Sequence, residues 1–469
     1  MSYNVRIWDI RERPDRRKAF MVRWTVNGRE KSESFMTIGL AESRRAKLMT
    51  AARDGEPFDE HTGLPAPELR SIKQRTTWYD LAHEYLDQRW GRTPGNTRRT
   101  LSDAFATITP ALVRPGATYP EPRVLRRALY SWAFNKNAWA NEPTEEWQKA
   151  LDWMQRNSLP VSALGEADVL RRALDALCRK LDGKAAAAKT TRRKRAAFSE
   201  VLSTAVEKGY FAVNPLHGLR WKAPAVNEEV DPAAVPNPAQ VALLLAAVAQ
   251  QRGRGPHLEA FFGCMYHAAM RPAEVIHLRR DQCHLPDSGW GMLNLSGGVV
   301  TAGKEWTDDG AVHEVHSLKR RAITATRPVP IPPQFVSLLR AHIERFGVAP
   351  DGRLFRNQAG NYVDASAYGI TWARARKYVL TRTELASGLA KRPYDLRHAG
   401  ISFWLYSGVD PAECARRAGQ SIEVLFRHYA KFLDGVQEQA NRLIEQSMEE
   451  WDRVSRGAAP EGGAVGLGP

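Results

Sequence analysis

The sequence predicts a multidomain protein, mainly α with small β elements, and three observations carry that prediction. Apolar residues recur three or four apart through most of the chain beyond about residue 72; one N-terminal stretch alternates instead around an Asn-Gly pair; and two Pro-rich stretches show no period at all. At 469 residues the chain is also longer than one ordinary core serves, so roughly two to four domains are expected.

The N-terminal module comes first. In AFMVRWTV (19–26), Phe20, Val22, Trp24 and Val26 alternate with more polar neighbours, and Asn27-Gly28 then leads into REKSESF. Alternation on both sides of Asn-Gly predicts a hairpin. With NVRIWDI before it and a helical AESRRAKLMTAAR (41–53) after it, residues 1–55 read as a three-stranded sheet backed by one helix. GEPFDEHTGLPAPE, rich in Pro, Gly and acid, reads as a linker, taken as 56–71.

Residues 72–221 read as an all-α domain, from segments such as TTWYDLAHEYLDQRW, PRVLRRALYSWAF and RKRAAFSEVLSTAVEKG. KAPAVNEEVDPAAVPNPAQ is expected to be an extended connection, taken as 222–238. A mixed, mostly α domain follows over 239–452. It opens with AQVALLLAAVAQQ and HLEAFFGCMYHAAMRPAEVIHLRRDQ, has strands in WGMLNLSGGVV and RPVPIPP around a turn-rich insertion, and is helical again from Val336 to Met448. The Gly/Ala/Pro tail 453–469 is expected to be disordered.

Lys and Arg number 68 against 52 Asp and Glu, a formal charge of +16, which points to a polyanionic partner. The N-terminal module shares this bias, with thirteen Lys/Arg against six Asp/Glu in residues 1–53. KAAAAKTTRRKR (184–195) holds six basic residues and no acid, so Lys189, Arg192, Arg193, Lys194 and Arg195 open a helix as candidate phosphate contacts. A solvated charged face is the plainer reading of such a run. Four cysteines lie far apart without C-x-x-C spacing, which suggests neither a disulfide framework nor a zinc knuckle. His313 and His316, or Cys283 and His284, lack paired metal-ligand spacing as well. No signal segment and no apolar run near the ~18 residues of a membrane span is evident, so a cytoplasmic protein with no membrane partner is expected.

A few residues stand where chemistry is feasible, although each alone is more often structural. Arg271 precedes Pro272, a residue suited to the first turn of a helix, and follows the apolar FFGCMYHAAM; an unpaired charge at the end of a buried helix is costly. Glu274 stands three residues on, to orient that guanidinium or to cap the helix. In RPYDLRHAGISFWLYSG, Tyr394 and Arg397 are neighbours on one helical surface at the edge of a buried face. Lys319 lies in a turn before a strand, and Tyr429 lies within FRHYAKF.

Arg271, Lys319, the Tyr394-x-x-Arg397 pair, the turn at Gly419-Gln420 and Tyr429 nine residues later together resemble, in order and spacing, the tyrosine recombinase (phage integrase) family. AAMRPAEVIHLR and RPYDLRHAGISFWLYSGVDPAECARRAGQSIEVLFRHYAK look especially like integrases of actinobacteria and their phages. The resemblance covers about 240–450 strongly. It extends more loosely to 72–221 as a core-binding domain and to 1–55 as an arm-type DNA-binding domain.

The resemblance implies cleavage and rejoining of double-stranded DNA at core and arm attachment sites through a 3′-phosphotyrosyl bond to Tyr429, integrating or excising a phage or mobile element. Arg271 and Arg397 would clamp the non-bridging oxygens, Lys319 would protonate the leaving 5′-oxygen, and Tyr394 and Gln420 would hydrogen-bond the phosphate, with Glu274 and His398 supporting them. No cofactor and no metal is implied. A homotetramer on DNA is, and a host DNA-bending protein or directionality factor is a fair expectation. Two positions depart from the commoner pattern: Tyr394 stands where histidine is usual, and Gln420 where histidine or tryptophan is. Neither acts as an imidazole acid or base near pH 7. A DNA-binding protein of the same fold with impaired catalysis is therefore the alternative, and a DNA-relaxing topoisomerase with a covalent tyrosine a third reading.

Overall fold

The computed structural model describes residues 1–225, 229–318, 324–433 and 437–457. The chain divides into two compact units, Met1–Val226 with Glu305–Gly310, and Asn227–Lys304 with Ala311–Pro469.

The first unit holds two apolar cores. At its start, β1 (Val5–Ile7) and β2 (Arg11–Glu12) pair antiparallel with successive parts of β3 (Phe20–Val26), which pairs along its whole length with β4 (Arg29–Phe35). The sheet thus has four strands where three were expected, because the first edge is interrupted between Ile7 and Arg11. The hairpin turn is the one Asn-Gly favours, with Asn27 at φ 49° and Gly28 at φ 77°. Alternation puts Val22, Trp24 and Val26 inside, against Ala41 and Leu48 of α1 (Ile38–Arg53).

The expected linker 56–71 is a folded part of this module. Phe58 is fully buried and exchanges backbone hydrogen bonds with Ser2, and the Trp24 indole donates to the Gly63 carbonyl at 2.7 Å. α2 (Ala66–Arg75) begins within the Pro-rich piece, since proline suits a first helical turn as well as a loop.

The second core belongs to α3 (Trp78–Arg89), α4 (Gly95–Ile108), α5 (Pro122–Arg127), α6 (Glu145–Asn157), α7 (Ala167–Leu177) and α8 (Ala188–Glu207). Trp78 makes edge-on contacts with Phe198 at 5.2 Å and Phe105 at 6.3 Å, and its indole donates to Thr109 at 2.9 Å. Trp306, from the Glu305–Gly310 segment, is buried in the same core beside Tyr130 and Trp90. The Arg98 guanidinium donates to the Trp306 carbonyl at 2.9 Å and grips the Asp308 carboxylate at 2.7 and 2.9 Å.

In the second unit α9 (Pro238–Ala249) and α10 (Gly255–His267) form a central pair, followed by α11 (Pro272–His277). β5 (Cys283–His284), β6 (Gly291–Leu295) and β9 (Arg327–Ile331) make an antiparallel sheet, while β7 (Gly297–Thr301) and β8 (His313–Ser317) form a separate hairpin. The chain continues through α12 (Pro333–Phe346), α13 (Ala365–Val379), α14 (Arg382–Ser387), α15 (Asp395–Tyr406), α16 (Pro411–Ala418), α17 (Ile422–Leu433) and α18 (Gln437–Gly457). Part of the expected connection 222–238 is fastened here, Val230 N–H donating to the His428 carbonyl and the Ala234 carbonyl accepting from Ala390 N–H. The expected disordered tail is helical as far as Gly457, and its remainder lies outside the described residues.

One stretch is more apolar than the sequence reading allowed, Pro232–Ala249, with a mean hydropathy of 1.4 over 18 residues. Its helix α9 buries Val241, Leu244, Leu245, Ala247 and Val248 in the core of this unit.

Candidate active site

The site is built at the ends of helices. α10 ends at His267, and the chain passes through Ala269, at φ 45°, before Arg271 becomes the N-cap of α11. A left-handed alanine is strained. Here it turns a carbonyl towards α15, where that oxygen accepts a hydrogen bond from Arg397 Nη1. Glu274 performs both tasks foreseen for it: one oxygen accepts from the Arg271 backbone N–H at 2.9 Å, the other from Arg271 Nη1 at 2.9 Å.

α15 is placed by two features of its own sequence. Asp395, the buried first residue of the helix, fixes the chain entering it by accepting from Arg392 N–H at 2.7 Å and holds the Arg392 guanidinium at 2.8 Å. Gly400, one turn after Arg397, lies so close to α10 that a Cβ there would collide with the Tyr266 carbonyl. The close approach carries Arg397 to the end of α10, where it is 1% exposed.

α16 supplies the third wall. It ends with Gly419 in the left-handed conformation, φ 62°, and presents successive carbonyls to the two arginines. Arg397 Nη2 donates to Ala418 O at 2.7 Å, and Arg271 Nη2 donates to Gly419 O at 3.0 Å. A helix C-terminus carries negative partial charge, so it tempers two cations held close together. Burial and then the like charge of Arg271 push the Arg397 pKa down from its ordinary value. An anion entering between them would relieve both effects.

Tyr429, on α17, is 2% exposed, and its hydroxyl lies 2.7 Å from Nδ1 of His398. Burial pushes its pKa well above the ordinary value, more than the nearby Arg397 and Arg271 pull it down. Tyr394 is the residue before α15, half-buried, with its ring edge-on to His398 at 5.2 Å. Gln420 follows Gly419, and its buried side-chain Nε2 has no hydrogen-bond partner among the described residues. A buried donor left unpaired costs about 1–3 kcal/mol, which an anionic oxygen would recover.

Arg271, Glu274, Tyr394, Arg397, His398, Gln420 and Tyr429 thus meet at α11, α15, α16 and α17. Lys319 lies outside the described residues, in the connection between β8 and β9. Arg327 was not foreseen. It is 2% exposed and grips Glu274 with two bonds of 3.0 and 2.8 Å, opposite Arg271. The signal was in the strand period: Arg327, Val329 and Ile331 alternate onto the buried face of β9, and a buried arginine requires an acid. Burial raises the Glu274 pKa, but Arg327, then Arg271 and Arg397, outweigh it and hold it down at about 2.

The basic run on α8 divides by helical period. Lys189, Arg192 and Arg193 are exposed. Lys194 is not a surface contact: with Thr191, Phe198 and Val201 it lies on the buried face, where its ammonium pairs with Asp103 at 2.9 Å and donates to Thr107 at 2.8 Å. Arg195 is half-buried with its guanidinium 5.7 Å from the Trp221 ring centroid. Among the described residues no three His, Cys, Asp or Glu side chains gather into a metal site.

No protein-family model matches the chain, and no curated protein does. Solved structures to which it is similar include the Tn1549 transposon integrase in complex with transposon right end DNA (TM-score 0.47, 16% identity, covering 70% of this chain and 96% of that one). They also include the XerH site-specific recombinase bound to palindromic difH substrate (TM-score 0.43, 12% identity, 75% and 97%) and a lambda integrase dimer bound to a COC′ core site (TM-score 0.42, 11% identity, 91% and 95%). Likeness at this level carries no functional argument, which rests on the residues themselves.

Proposed function

We propose that this chain is a site-specific DNA recombinase of the tyrosine recombinase class, an integrase that cleaves and rejoins DNA through a 3′-phosphotyrosyl intermediate at Tyr429. The observation that carries the proposal is the convergence of Arg271 and Arg397, from distant parts of the sequence, on consecutive carbonyls of α16, beside a buried tyrosine whose hydroxyl is already hydrogen-bonded. A phenol is a weak nucleophile near pH 7, and burial, which pushes its pKa up, makes it harder still to ionise. Two guanidiniums are the groups suited to grip the non-bridging oxygens of a phosphodiester and to stabilise the charge that builds in the pentavalent transition state. Gln420 adds a donor and Tyr394 a hydroxyl.

Lys319, by resemblance, supplies the proton to the leaving 5′-oxygen. The phosphotyrosine conserves the energy of the broken bond, so rejoining needs no nucleotide. Duplex DNA is the partner, held at core sites by the helical part of the first unit together with the second unit, and at arm sites by residues 1–55. Four copies act together on DNA, and a bending protein or directionality factor is the expected helper.

Covalent trapping tests the reading. Wild type incubated with nicked duplexes from the boundaries of the element that encodes it is expected to form a denaturant-resistant adduct, and Tyr429→Phe to form none. Retardation on a native gel without any adduct would replace the enzyme by a DNA-binding protein of the same fold, with Tyr394 and Gln420 as the first residues to restore to histidine.

A further inference from the structure

The attack by Tyr429 leaves a proton to be placed. When the phenolic oxygen bonds to phosphorus its hydrogen must leave, and positions 394 and 420, where the family resemblance implies histidine and histidine or tryptophan, hold a tyrosine and a glutamine. Neither accepts a proton readily near pH 7. Among the described residues, the hydrogen-bond partner of the Tyr429 hydroxyl is His398 Nδ1, at 2.7 Å. That is the distance and the atom a general base requires.

We propose that His398 is a catalytic residue, the group that takes the phenolic proton of Tyr429 as its oxygen attacks the scissile phosphorus. The proposal rests on the cleavage reaction proposed above. The Tyr429 oxygen–phosphorus bond forms, the bond from phosphorus to the 5′-oxygen breaks, and the bonding pair leaves with that oxygen, which is protonated separately by the general acid. The proton of Tyr429 passes to Nδ1, and neutral imidazole becomes imidazolium. In rejoining, the 5′-hydroxyl attacks and gives its proton back to the general acid, the phosphotyrosyl bond breaks, and Nδ1 returns its proton to the tyrosine. Nothing is consumed over the cycle.

The surroundings of the ring suit this role. Burial, then the charges of Arg397, Arg392 and His428 against that of Asp395, hold the imidazole at about 4, so it is neutral near pH 7; in the tautomer with its proton on Nε2, the Nδ1 lone pair accepts from the Tyr429 hydroxyl. An imidazolium beside Arg397 is unfavourable in the free protein. A phosphate seated between Arg271 and Arg397 cancels that repulsion, so the base strengthens when substrate is bound. The ring is also held in place, Tyr394 on one side at 5.2 Å and Tyr429 on the other at 5.8 Å between ring centroids.

The test uses the full chain and two nicked duplexes, one with the ordinary phosphodiester and one with sulfur replacing the bridging 5′-oxygen. A thiolate leaves without a proton, so the second substrate removes the need for the acid and leaves the need for the base. His398→Gln is expected to slow adduct formation by about 10²–10³-fold on both substrates while retarding DNA on a native gel as wild type does. His398→Ala is expected to be slow likewise and to regain rate on addition of imidazole.

Cleavage by His398→Gln at the wild-type rate would overturn the proposal and leave the recombinase reading intact. So would recovery of His398→Gln on the sulfur substrate alone, which would move His398 to the leaving-group side, or failure of imidazole to restore His398→Ala, which would make the ring structural. Absence of any adduct with wild type on either substrate would overturn the recombinase reading, and this proposal with it.

Discussion

Glu274 sits between two guanidiniums, and its position explains how Arg271 is aimed. It is 6% exposed, and with Arg327 bonded to both of its oxygens it presents a fixed edge to Arg271. Removing one partner of a buried pair leaves the other charge uncompensated, which costs about 3–5 kcal/mol. Arg327→Met is therefore expected to lower stability by about that amount in urea unfolding at pH 7, and to slow adduct formation because Glu274 is no longer held. An unchanged urea midpoint would show that Arg271 alone suffices. The acid limb follows from the direction of the Glu274 shift. A carboxyl held at about 2, below its ordinary 4.5, contributes stability that is fully present above about pH 4.5 and is lost as pH falls towards 2. In Arg327→Met the Glu274 pKa is expected to rise, so that acid-dependent loss is expected to be smaller and complete at higher pH. Gly419 belongs to the same arrangement, since a Cβ there would overlap the Arg327 guanidinium as well as strain a backbone at φ 62°.

At the scale of elements, helix ends do the positioning and helical period decides which basic residues are available. α8 shows the second point: its buried residues Thr191, Lys194, Phe198, Val201 and Ala205 recur three and four apart, so Lys194 points inward while Arg192 and Arg193 do not. Read at its period, the sequence contained this division; read as a charge run, it did not. The segment between β7 and β8 behaves as an element of the first unit. Trp306 is 2% exposed in that unit's helical core, and Arg98 clasps its carbonyl and the carboxylate of Asp308 two residues on. Trp306→Ala is expected to leave a cavity costing about 3–5 kcal/mol in urea unfolding, whereas Trp290→Ala, at a residue 61% exposed, is expected to cost almost nothing. Equal effects of the two would contradict the burial of Trp306.

For the whole molecule, the excess of +16 sets the expected behaviour towards DNA. If Lys and Arg side chains neutralise about six to ten phosphates, affinity for duplex is expected to fall about 10³–10⁵-fold between 50 and 200 mM salt, measured by fluorescence anisotropy. A fall of less than tenfold would argue against a phosphate-tracking surface. Hydrophobic period and turn chemistry by themselves determined the N-terminal hairpin, the helical stretches, strands β6, β7 and β9 of the second unit and the helix starts after Arg271 and Pro393, because each is a local preference written in a few adjacent residues. Only the tertiary structure decided that Phe58 and α2 fold where a linker was expected, that Trp306 belongs to the first unit, that Arg327 completes the pair around Glu274, and that His398 touches Tyr429. Those depend on which residues far apart in sequence fill one core or balance one buried charge, and the free energy of burial and pairing is a property of the assembled neighbourhood, not of any single stretch.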